Sequence, residues 1–257
     1  MLKHQYIRII IVIACVVAAI GYLYDYWSIF IFVIVALIGL GLTVWGVFDI
    51  RLSYFGKTHF KASEKRTKEV SLTFDDGPCP YTVQVLDLLD RYEMKATFFC
   101  IGQQVLKYPE IAKRIIDSGH SIGNHSFTHR KDIAFSNAAE MATEIKLADD
   151  AITKITKSVT PMYRPPFGVT NPNVIKACKA TNKEIIGWSI RSLDTVIKDE
   201  NRILNRILPR IKPGDIVLLH DTSERTINVL EQLLIKMKDM NLQSIPVDRL
   251  LKIERNG

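Results

Sequence analysis

The chain has 257 residues, of which 34 are basic and 27 acidic for a formal net charge of +7, and 47% are hydrophobic. This hydrophobic content excludes a disordered chain, and the four cysteines, which form no C-x-x-C pair, exclude a disulfide framework and a zinc knuckle. No dense run of Lys and Arg interleaved with aromatic residues follows Val70, so we expect no nucleic-acid partner despite the positive charge.

Two apolar runs open the chain. Residues 7–24 and 28–48 each approach the ~20 residues that cross a bilayer core, and the one charge within them is Arg8. Between the runs, tyrosines and Trp27 surround Asp25, which is typical of a turn at a membrane interface. The pattern predicts a transmembrane hairpin over residues 1–52, and hence an integral membrane protein with a two-pass N-terminal anchor in the lipid bilayer. A cleaved signal peptide or a buried core hairpin fits these two long runs less well.

The residues after the hairpin are polar and basic. Residues 53–69 show no apolar periodicity, which predicts a juxtamembrane linker that can also contact anionic lipid headgroups. Lys and Arg flank both ends of the hairpin, and the positive-inside rule would assign that side to the cytoplasm. Because the second basic cluster can instead belong to a tether on the following domain, the sequence leaves the side of the membrane open.

From Val70 onward, short apolar runs alternate with amphipathic stretches. The runs predict strands at 70–74, 96–101, 121–124, 162–164, 184–190, 215–219 and 243–245. The amphipathic stretches predict helices at 81–92, 110–118, 138–156, 173–180, 202–210 and 226–240. Repeated strand–helix units predict a parallel α/β architecture, either a barrel or a doubly wound sheet. In both architectures, catalytic and binding residues lie at the carboxyl ends of the strands.

Polar side chains follow two of these strands. Asp75 and Asp76 end the first strand, and His125 and His129 follow the third. Two imidazoles four residues apart can converge on one ion if their segment turns helically, and a carboxylate from a neighbouring strand would complete a three-ligand metal site. Each residue alone is typical of a cap or a surface position, but together at strand ends they predict a shared metal.

Two further residues suit catalysis. Arg164 precedes two prolines, and such a rigid backbone suits a guanidinium that holds a carboxylate in one orientation. His220 ends a buried strand, where burial and neighbouring charges can tune a proton donor near neutral pH.

Four motifs in order resemble the polysaccharide deacetylases of the NodB type, carbohydrate esterase family 4. They are TFDDGP at 73–78, HSFTH at 125–129, RPPFG at 164–168 and LLH at 218–220, and the resemblance covers roughly residues 70–250. It implies a distorted (β/α) barrel of seven or eight units as a catalytic domain over 70–257. It also implies a divalent metal, with zinc first and Co²⁺, Mn²⁺ or Ni²⁺ as alternatives, and hydrolysis of the N-acetyl group of an amino sugar.

The resemblance also assigns roles to residues. Asp75 would be the general base, Arg164 would orient it, and His220 would be the general acid. The metal ligands would be Asp76, His125 and His129. The substrate-binding residues would be Phe167, Leu218, Trp188 and Asp194, with Leu218 lining the pocket for the acetyl methyl.

One motif departs from the family pattern Asp-x-x-Asp-Trp. Arg191 stands where the first Asp is expected, and Thr195 stands in place of the Trp. In the family that Asp tunes the acid histidine, and a cation pointing at His220 would lower its pKa. Three alternatives follow: Asp194 supplies the partner, Arg191 turns away, or acid catalysis is weakened.

The leading hypothesis is a membrane-anchored, metal-dependent deacetylase of an N-acetylated glycan, such as peptidoglycan, a chitin-like polymer or another envelope polysaccharide. One alternative is a deacylase of a lipid-linked sugar, which the anchor favours because it keeps the site near the bilayer. Another is a pseudoenzyme that binds metal and glycan, for which Arg191 is the sequence argument. The sequence gives no indication of protein partners.

Overall fold

The computed structural model describes residues 3–63 and 68–254. Helices α1 (His4–Leu23) and α2 (Ile29–Phe48) form an N-terminal hairpin whose ends lie within three residues of those predicted. The helices pack closely at Gly39, where an added Cβ would lie 2.8 Å from the Ile11 side chain. Most of their other large apolar side chains are exposed. By length and composition, both helices are able to cross a membrane.

The rest of the described chain is a parallel α/β domain, as the alternating pattern predicts. Its strands are β1 (Glu69–Asp75), β2 (Thr97–Cys100), β3 (Ser121–Asn124), β4 (Met162–Tyr163), β5 (Glu184–Ile185), β6 (Ile190–Arg191), β7 (Ile216–His220) and β8 (Gln243–Ser244). Its helices are α3 (Pro80–Arg91), α4 (Gly102–Lys107), α5 (Pro109–Asp117), α6 (Ala138–Thr156), α7 (Pro172–Ala180), α8 (Glu200–Ile207), α9 (Glu224–Asp239) and α10 (Val247–Leu251). The short α4 has no counterpart among the predicted helices.

The sheet places β1 at its centre. The strand order is β5-β4-β3-β2-β1-β7-β6, with β8 pairing β1 outside this path. Along β7, Val217 and Leu219 pack into one apolar core, whereas Ile216 and Leu218 pack into a second core on the other face. Both faces are therefore buried, which explains why the strands read as continuous apolar runs rather than as alternating ones.

The predicted strand at 184–190 is wrong as a single element. Ile185 lies in β5 and Ile190 in β6, and these strands are the two ends of the sheet order. Six inter-strand spacings of ~4.8 Å would separate them by ~29 Å in a flat sheet. The five residue steps between them reach at most ~18 Å. The sheet must therefore curve until its edges approach each other, which gives a curved parallel half-barrel.

The described part of the predicted linker packs on this domain. The His59 amide donates to the carbonyl of Ile185 (2.8 Å), the Gly187 amide donates to the carbonyl of His59 (2.7 Å), and the Ala62 amide donates to the carbonyl of Gly214 (2.8 Å). Residues 59–62 thus contact the edge strand β5, the residues that follow it and the turn before β7, where backbone groups outside the sheet require partners. Residues 64–67 of the predicted linker and 255–257 of the predicted domain lie outside the described residues.

The end of α2 also contacts the domain. The Thr170 amide donates to the carbonyl of Val47 (3.0 Å), and Ile50, two residues beyond α2, is buried in the second core beside Gly187. Because Thr170 lies two residues after the RPPFG motif, this contact puts the end of the hairpin next to the loops at the carboxyl ends of the strands.

Candidate active site

The central strand delivers two carboxylates to one end of the sheet. In the β1 register, Asp75 lies opposite Phe99 on one side and His220 on the other. Asp76 has a left-handed backbone (φ 74°), which Asp adopts more readily than most residues. The strand register therefore brings Asp75 and His220 side by side, as their strand-end positions predict.

His125 and His129 converge through a loop rather than through the helical turn that their spacing suggested. Ser126 and His129 both have positive φ (66° and 51°), so the segment is not a regular helical turn. The Ser126 amide donates to Asn124 Oδ1 (2.9 Å), and the His129 amide donates to Ser126 Oγ (3.1 Å). Glu144 Oε2 accepts two further loop amides. These bonds hold the loop in its non-helical shape.

Asp76, His125 and His129 form a three-residue donor cluster that suits a divalent metal. Their ligand atoms all lie within 4.8 Å of one another. Asp76 Oδ1 lies 3.5 Å from His125 Nε2 and 3.4 Å from His129 Nε2, and this oxygen is buried without a hydrogen-bond partner. His125 Nδ1 lies 2.7 Å from the carbonyl of Arg164, which leaves Nε2 free to bind an ion. One carboxylate with two imidazoles is a donor set that zinc accepts.

The electrostatics of this cluster favour a cation. Burial opposes ionisation of Asp76, but the proximity and charge of His125 and His129 outweigh it and lower the pKa of Asp76. Burial likewise opposes protonation of His125, but Asp75 and Asp76 raise its pKa above the ordinary value. Burial and the charge of His125 lower the pKa of His129. The two carboxylates thus create a negative site that draws positive charge to itself.

Arg164 is fully buried behind Asp75. Its Nη1 donates to Asp75 Oδ1 (2.7 Å) and to Thr73 Oγ1 (2.8 Å), and its Nη2 donates to the carbonyl of Gly187 (2.9 Å). Its guanidinium also stacks over the Phe99 ring at 4.0 Å. Burial lowers the pKa of Arg164, although the charge of Asp75 opposes this shift. These contacts fix one oxygen of Asp75 and leave its Oδ2 facing the donor cluster, 3.8 Å from His125 Nε2.

The Asp194 carboxylate contacts both the ring and the backbone amide of His220. Its Oδ1 lies 2.8 Å from His220 Nδ1, its Oδ2 accepts from the His220 amide (2.8 Å), and the hydroxyls of Ser192 and Thr226 also donate to it. Burial alone would lower the pKa of His220, but hydrogen bonding and the charge of Asp194 raise it to about 9. Asp194, predicted to bind substrate, is fully buried and is not among the residues that line the active-site cavity. Of the three sequence alternatives, Asp194 as partner of His220 matches the structure.

Arg191 contacts Trp188 in the wall of the cavity that His220 also lines. Its side chain is exposed, and its guanidinium lies over the Trp188 ring, 5.8 Å from the ring centroid. Arg191 is not among the groups that shift the pKa of His220, which Asp194 raises, and the residue that replaces the family's first Asp extends the wall of the site.

A cavity of about 220 Å³ joins these groups. Phe167, Leu218 and Trp188, all predicted substrate-binding residues, line it together with Asp75, the donor cluster and His220. Phe167 is half exposed and meets the His129 ring edge-on, with 4.8 Å between ring centroids. A Cβ on Gly168 would lie 2.3 Å from Trp188, so a glycine is required there. Thr195 also lines the cavity and was not among the predicted site residues.

Asp221, next to His220, is a buried carboxyl that the sequence analysis missed. Thr82 Oγ1 donates to its Oδ2, and the Cys79 thiol donates to its carbonyl oxygen (3.0 Å). Burial raises the pKa of Asp221 to about 7 and also raises the pKa of Cys79. These bonds connect the loop after β7 to the start of α3. The sequence around Asp221 contains no pattern that predicts this contact.

Comparison with known proteins identifies relatives of this chain. A family model described as polysaccharide deacetylase matches residues 62–186. A chitooligosaccharide deacetylase of a Bradyrhizobium strain is 37% identical over 157 residues, which cover 60% of this chain and 71% of the relative. A peptidoglycan-N-acetylglucosamine deacetylase of Bacillus cereus is 35% identical over 193 residues, which cover 72% of this chain and 89% of the relative. For another Bacillus cereus relative of that name, the match spans 63% of its length.

Solved structures share the fold. The Bc1960 peptidoglycan N-acetylglucosamine deacetylase aligns with a TM-score of 0.72 at 27% identity, over 78% of this chain and 95% of that chain. BA3943, a CE4 family pseudoenzyme from Bacillus anthracis, aligns with a TM-score of 0.69 at 26% identity, over 74% of this chain and 67% of that chain. Since enzymes and a pseudoenzyme share this fold, the arrangement of the site residues must carry the argument for catalysis.

Proposed function

The chain belongs to the NodB-type polysaccharide deacetylases of carbohydrate esterase family 4, which are hydrolases of amide bonds, and we propose that it removes the N-acetyl group from an amino sugar of a glycan. One observation carries this proposal: Asp75, the Asp76-His125-His129 cluster and His220 all line a single cavity. A module that only binds glycan has no need of a base and an acid on the same cavity.

Asp75 is placed to act as general base. Arg164 occupies its Oδ1, so Oδ2 is the oxygen available to accept a proton from the attacking water. The cluster of Asp76, His125 and His129 would hold the divalent metal, with zinc first and Co²⁺, Mn²⁺ or Ni²⁺ as alternatives. When bound, such a metal polarises the amide oxygen and makes the water more acidic.

His220 is placed to act as general acid. Water adds to the acetyl carbon while Asp75 takes its proton, and the carbon–nitrogen bond then breaks as His220 Nε2 gives a proton to the departing amine. The products are acetate and a free amino sugar. Asp194 keeps His220 protonated near neutral pH and orients its ring through Nδ1. Leu218, Trp188 and Phe167 form the cavity wall that would contact the acetyl group and the sugar.

For the organisation of the whole chain, we propose residues 1–52 as the membrane anchor and 70–257 as the catalytic domain, which corresponds to the distorted barrel of the family. Residues 53–69 connect the two, and the end of the anchor at Ile50 and the described connecting residues pack on the domain. The second candidate substrate, a lipid-linked sugar, is supported by the contact between Thr170 and the end of α2. With α2 in a bilayer, that contact would bring the site close to the membrane surface, within reach of a sugar that is attached to a lipid.

The test is acetate release by the full chain in detergent. We would offer N-acetylglucosamine oligomers, peptidoglycan and a polyprenyl diphosphate-linked N-acetylglucosamine. Asp75→Asn should lower kcat about 10³-fold, because general-base catalysis contributes roughly 10²–10⁴, while zinc binding is retained. Asp150→Asn, an exposed carboxylate on α6, is the matched control and should leave kcat unchanged. Equal rates for wild type and Asp75→Asn would refute the assignment, and a metal-binding protein without turnover would be the pseudoenzyme.

A further inference from the structure

A second cavity lies next to the active site, between the end of α2 and the domain. Its volume is about 320 Å³. Four arginines line it, and we name it the arginine pocket: Arg51, Arg191, Arg206 and Arg210. Trp45 and Trp188 are among its other lining residues.

The charge of the arginine pocket is largely uncompensated. Asp49, its one acidic lining residue, pairs with Arg51 at 2.7 Å. Among the described residues, no carboxylate forms an ion pair with Arg191, Arg206 or Arg210, and Arg206 Nε is buried without a hydrogen-bond partner. Guanidinium groups gathered without carboxylates repel one another, and their planar donors match the oxygens of a phosphate. The pocket is therefore suited to an anion, and to a phosphate in particular.

The position of the pocket points to a phosphate carried by a lipid. Trp45 and Phe48, on the last turn of α2, line the pocket and are about half or more exposed. Aromatic residues at the end of an apolar helix are typical of the membrane–water interface, and arginines beside them lie at the depth of lipid headgroups. A lipid phosphate bound there would have its hydrocarbon chain in the bilayer along α2.

The arginine pocket also shares a wall with the active site. Trp188 and Arg191 line both cavities, and Arg191 stacks on Trp188 between them. A phosphate in the arginine pocket would therefore place an attached sugar on the side of Trp188 that faces Asp75 and the donor cluster. The order of groups in a lipid-linked sugar, which is lipid, phosphate and then sugar, matches the order of α2, arginine pocket and active-site cavity.

We propose that the arginine pocket binds the phosphate of a lipid-linked amino sugar and presents its N-acetyl group to the active site. This inference rests on the deacetylase function proposed above and narrows its substrate class. A bulk anionic phospholipid offers the same phosphate chemistry at the same depth. The experiment must therefore separate the substrate's own phosphate from a headgroup of the surrounding bilayer.

The test uses the full chain in phosphatidylcholine nanodiscs. We would measure kcat/KM for polyprenyl diphosphate-linked N-acetylglucosamine and for a soluble N-acetylglucosamine tetramer. Arg206→Gln/Arg210→Gln should lower the ratio of the two values at least tenfold. Arg202→Gln removes one positive charge from the exposed face of α8, outside the pocket, and should change the ratio less than twofold. Adding phosphatidylglycerol should not change the wild-type ratio. If phosphatidylglycerol instead inhibits the wild type on the lipid-linked sugar but does not inhibit the double variant, the pocket binds bulk phospholipid headgroups and the proposal is wrong.

A binding measurement keeps the two proposals separate. Two of the three tryptophans, Trp45 and Trp188, line the arginine pocket, so intrinsic fluorescence reports its occupancy. In an Asp75→Asn background, the apparent Kd for the lipid-linked sugar should rise at least tenfold on Arg206→Gln/Arg210→Gln. If acetate is released but this Kd does not change, the phosphate site is refuted and the deacetylase remains. If the Kd changes but the wild type releases no acetate, the phosphate site is supported and the proposed deacetylase activity is refuted.

Discussion

Asp194 determines both the orientation and the charge of His220. It accepts from the ring and the amide of His220, and Ser192 and Thr226 donate to its remaining lone pairs. Burial alone would favour neutral His220, so the raised pKa of about 9 depends on this carboxylate. Because the proposed acid must carry its proton, activity should persist on the alkaline side until His220 loses that proton.

Asp194→Asn should therefore move the alkaline limb of the pH–rate profile to lower pH. The amide removes the negative charge that raises the pKa of His220, while burial continues to lower that pKa. Profiles of kcat for wild type, Asp194→Asn and the Asp150→Asn control would measure the shift. An alkaline limb that stays in place would show that His220 does not supply the proton.

The sequence predicted which site residues lie together, because most of them follow the carboxyl ends of strands. Carboxyl ends of parallel strands meet on one edge, so Asp75, the metal-ligand candidates and His220 were expected together. The role of Asp194 could not be chosen from sequence, because three alternatives differ only in where side chains turn. The structure selects one through the buried bonds of Asp194 and the stacking of Arg191 on Trp188.

At the scale of elements, residues 50–63 act as part of the domain rather than as a free tether. Ile50 is 2% exposed in the second core, and Thr58 Oγ1 donates to its carbonyl oxygen (2.6 Å). His59 then bonds with both Ile185 and Gly187. Polar composition predicted a linker, but the unpaired edges of a curved sheet supply partners that composition does not reveal.

Ile50→Ala should destabilise the domain. Truncating a buried Ile costs about 2–5 kcal/mol, and each kcal/mol shifts Tm by roughly 2–4 °C for a domain of 150–250 residues. We expect a fall in Tm of roughly 4–20 °C for the full chain in detergent. Ile38→Ala is the matched control, since Ile38 is 57% exposed on α2. Equal Tm values for the two variants would show that this segment does not support the domain.

Hydrophobic periodicity predicted most of the helices and strands. The predicted strand at 184–190 was wrong for a physical reason. The run at 184–190 is continuous in hydropathy, yet β5 and β6 have two residues each at opposite edges. Curvature of the whole sheet splits the run, and no local pattern encodes it. The arginine pocket could not be predicted from local patterns either, because Arg51, Arg191 and Arg206 come together only when the end of α2 packs on the domain.

At the scale of the whole molecule, the side of the membrane decides which glycans are reachable. Lys3 and Arg8 flank one end of the hairpin, and Arg51, Lys57 and Lys61 follow the other. If the hairpin spans a membrane, both of its ends lie on one side, and the positive-inside rule would assign that side to the cytoplasm. A cytoplasmic site would meet lipid-linked sugars before their export rather than the assembled cell wall.

C-terminal reporter fusions to the full chain would determine the side. We expect a fluorescent GFP fusion and an inactive alkaline phosphatase fusion, because the latter requires an oxidising compartment for its disulfides. A fusion to residues 1–27, which ends after α1, should give the opposite result and serves as the control. Active phosphatase on the full chain would place the domain outside and favour a polymeric envelope substrate.

The Asp76-His125-His129 cluster is proposed to support metal-dependent hydrolysis of an N-acetyl group. The most direct test measures the acetate and free amine that the full chain releases from N-acetylglucosamine oligomers and from the lipid-linked sugar. Both products are measured before chelation, after chelation and after zinc is added back. We expect equal amounts of acetate and amine, loss of both on chelation, and recovery with zinc in wild type but not in His129→Ala. Undiminished release from protein shown to be free of metal, or acetate without a matching amine, would contradict the claim.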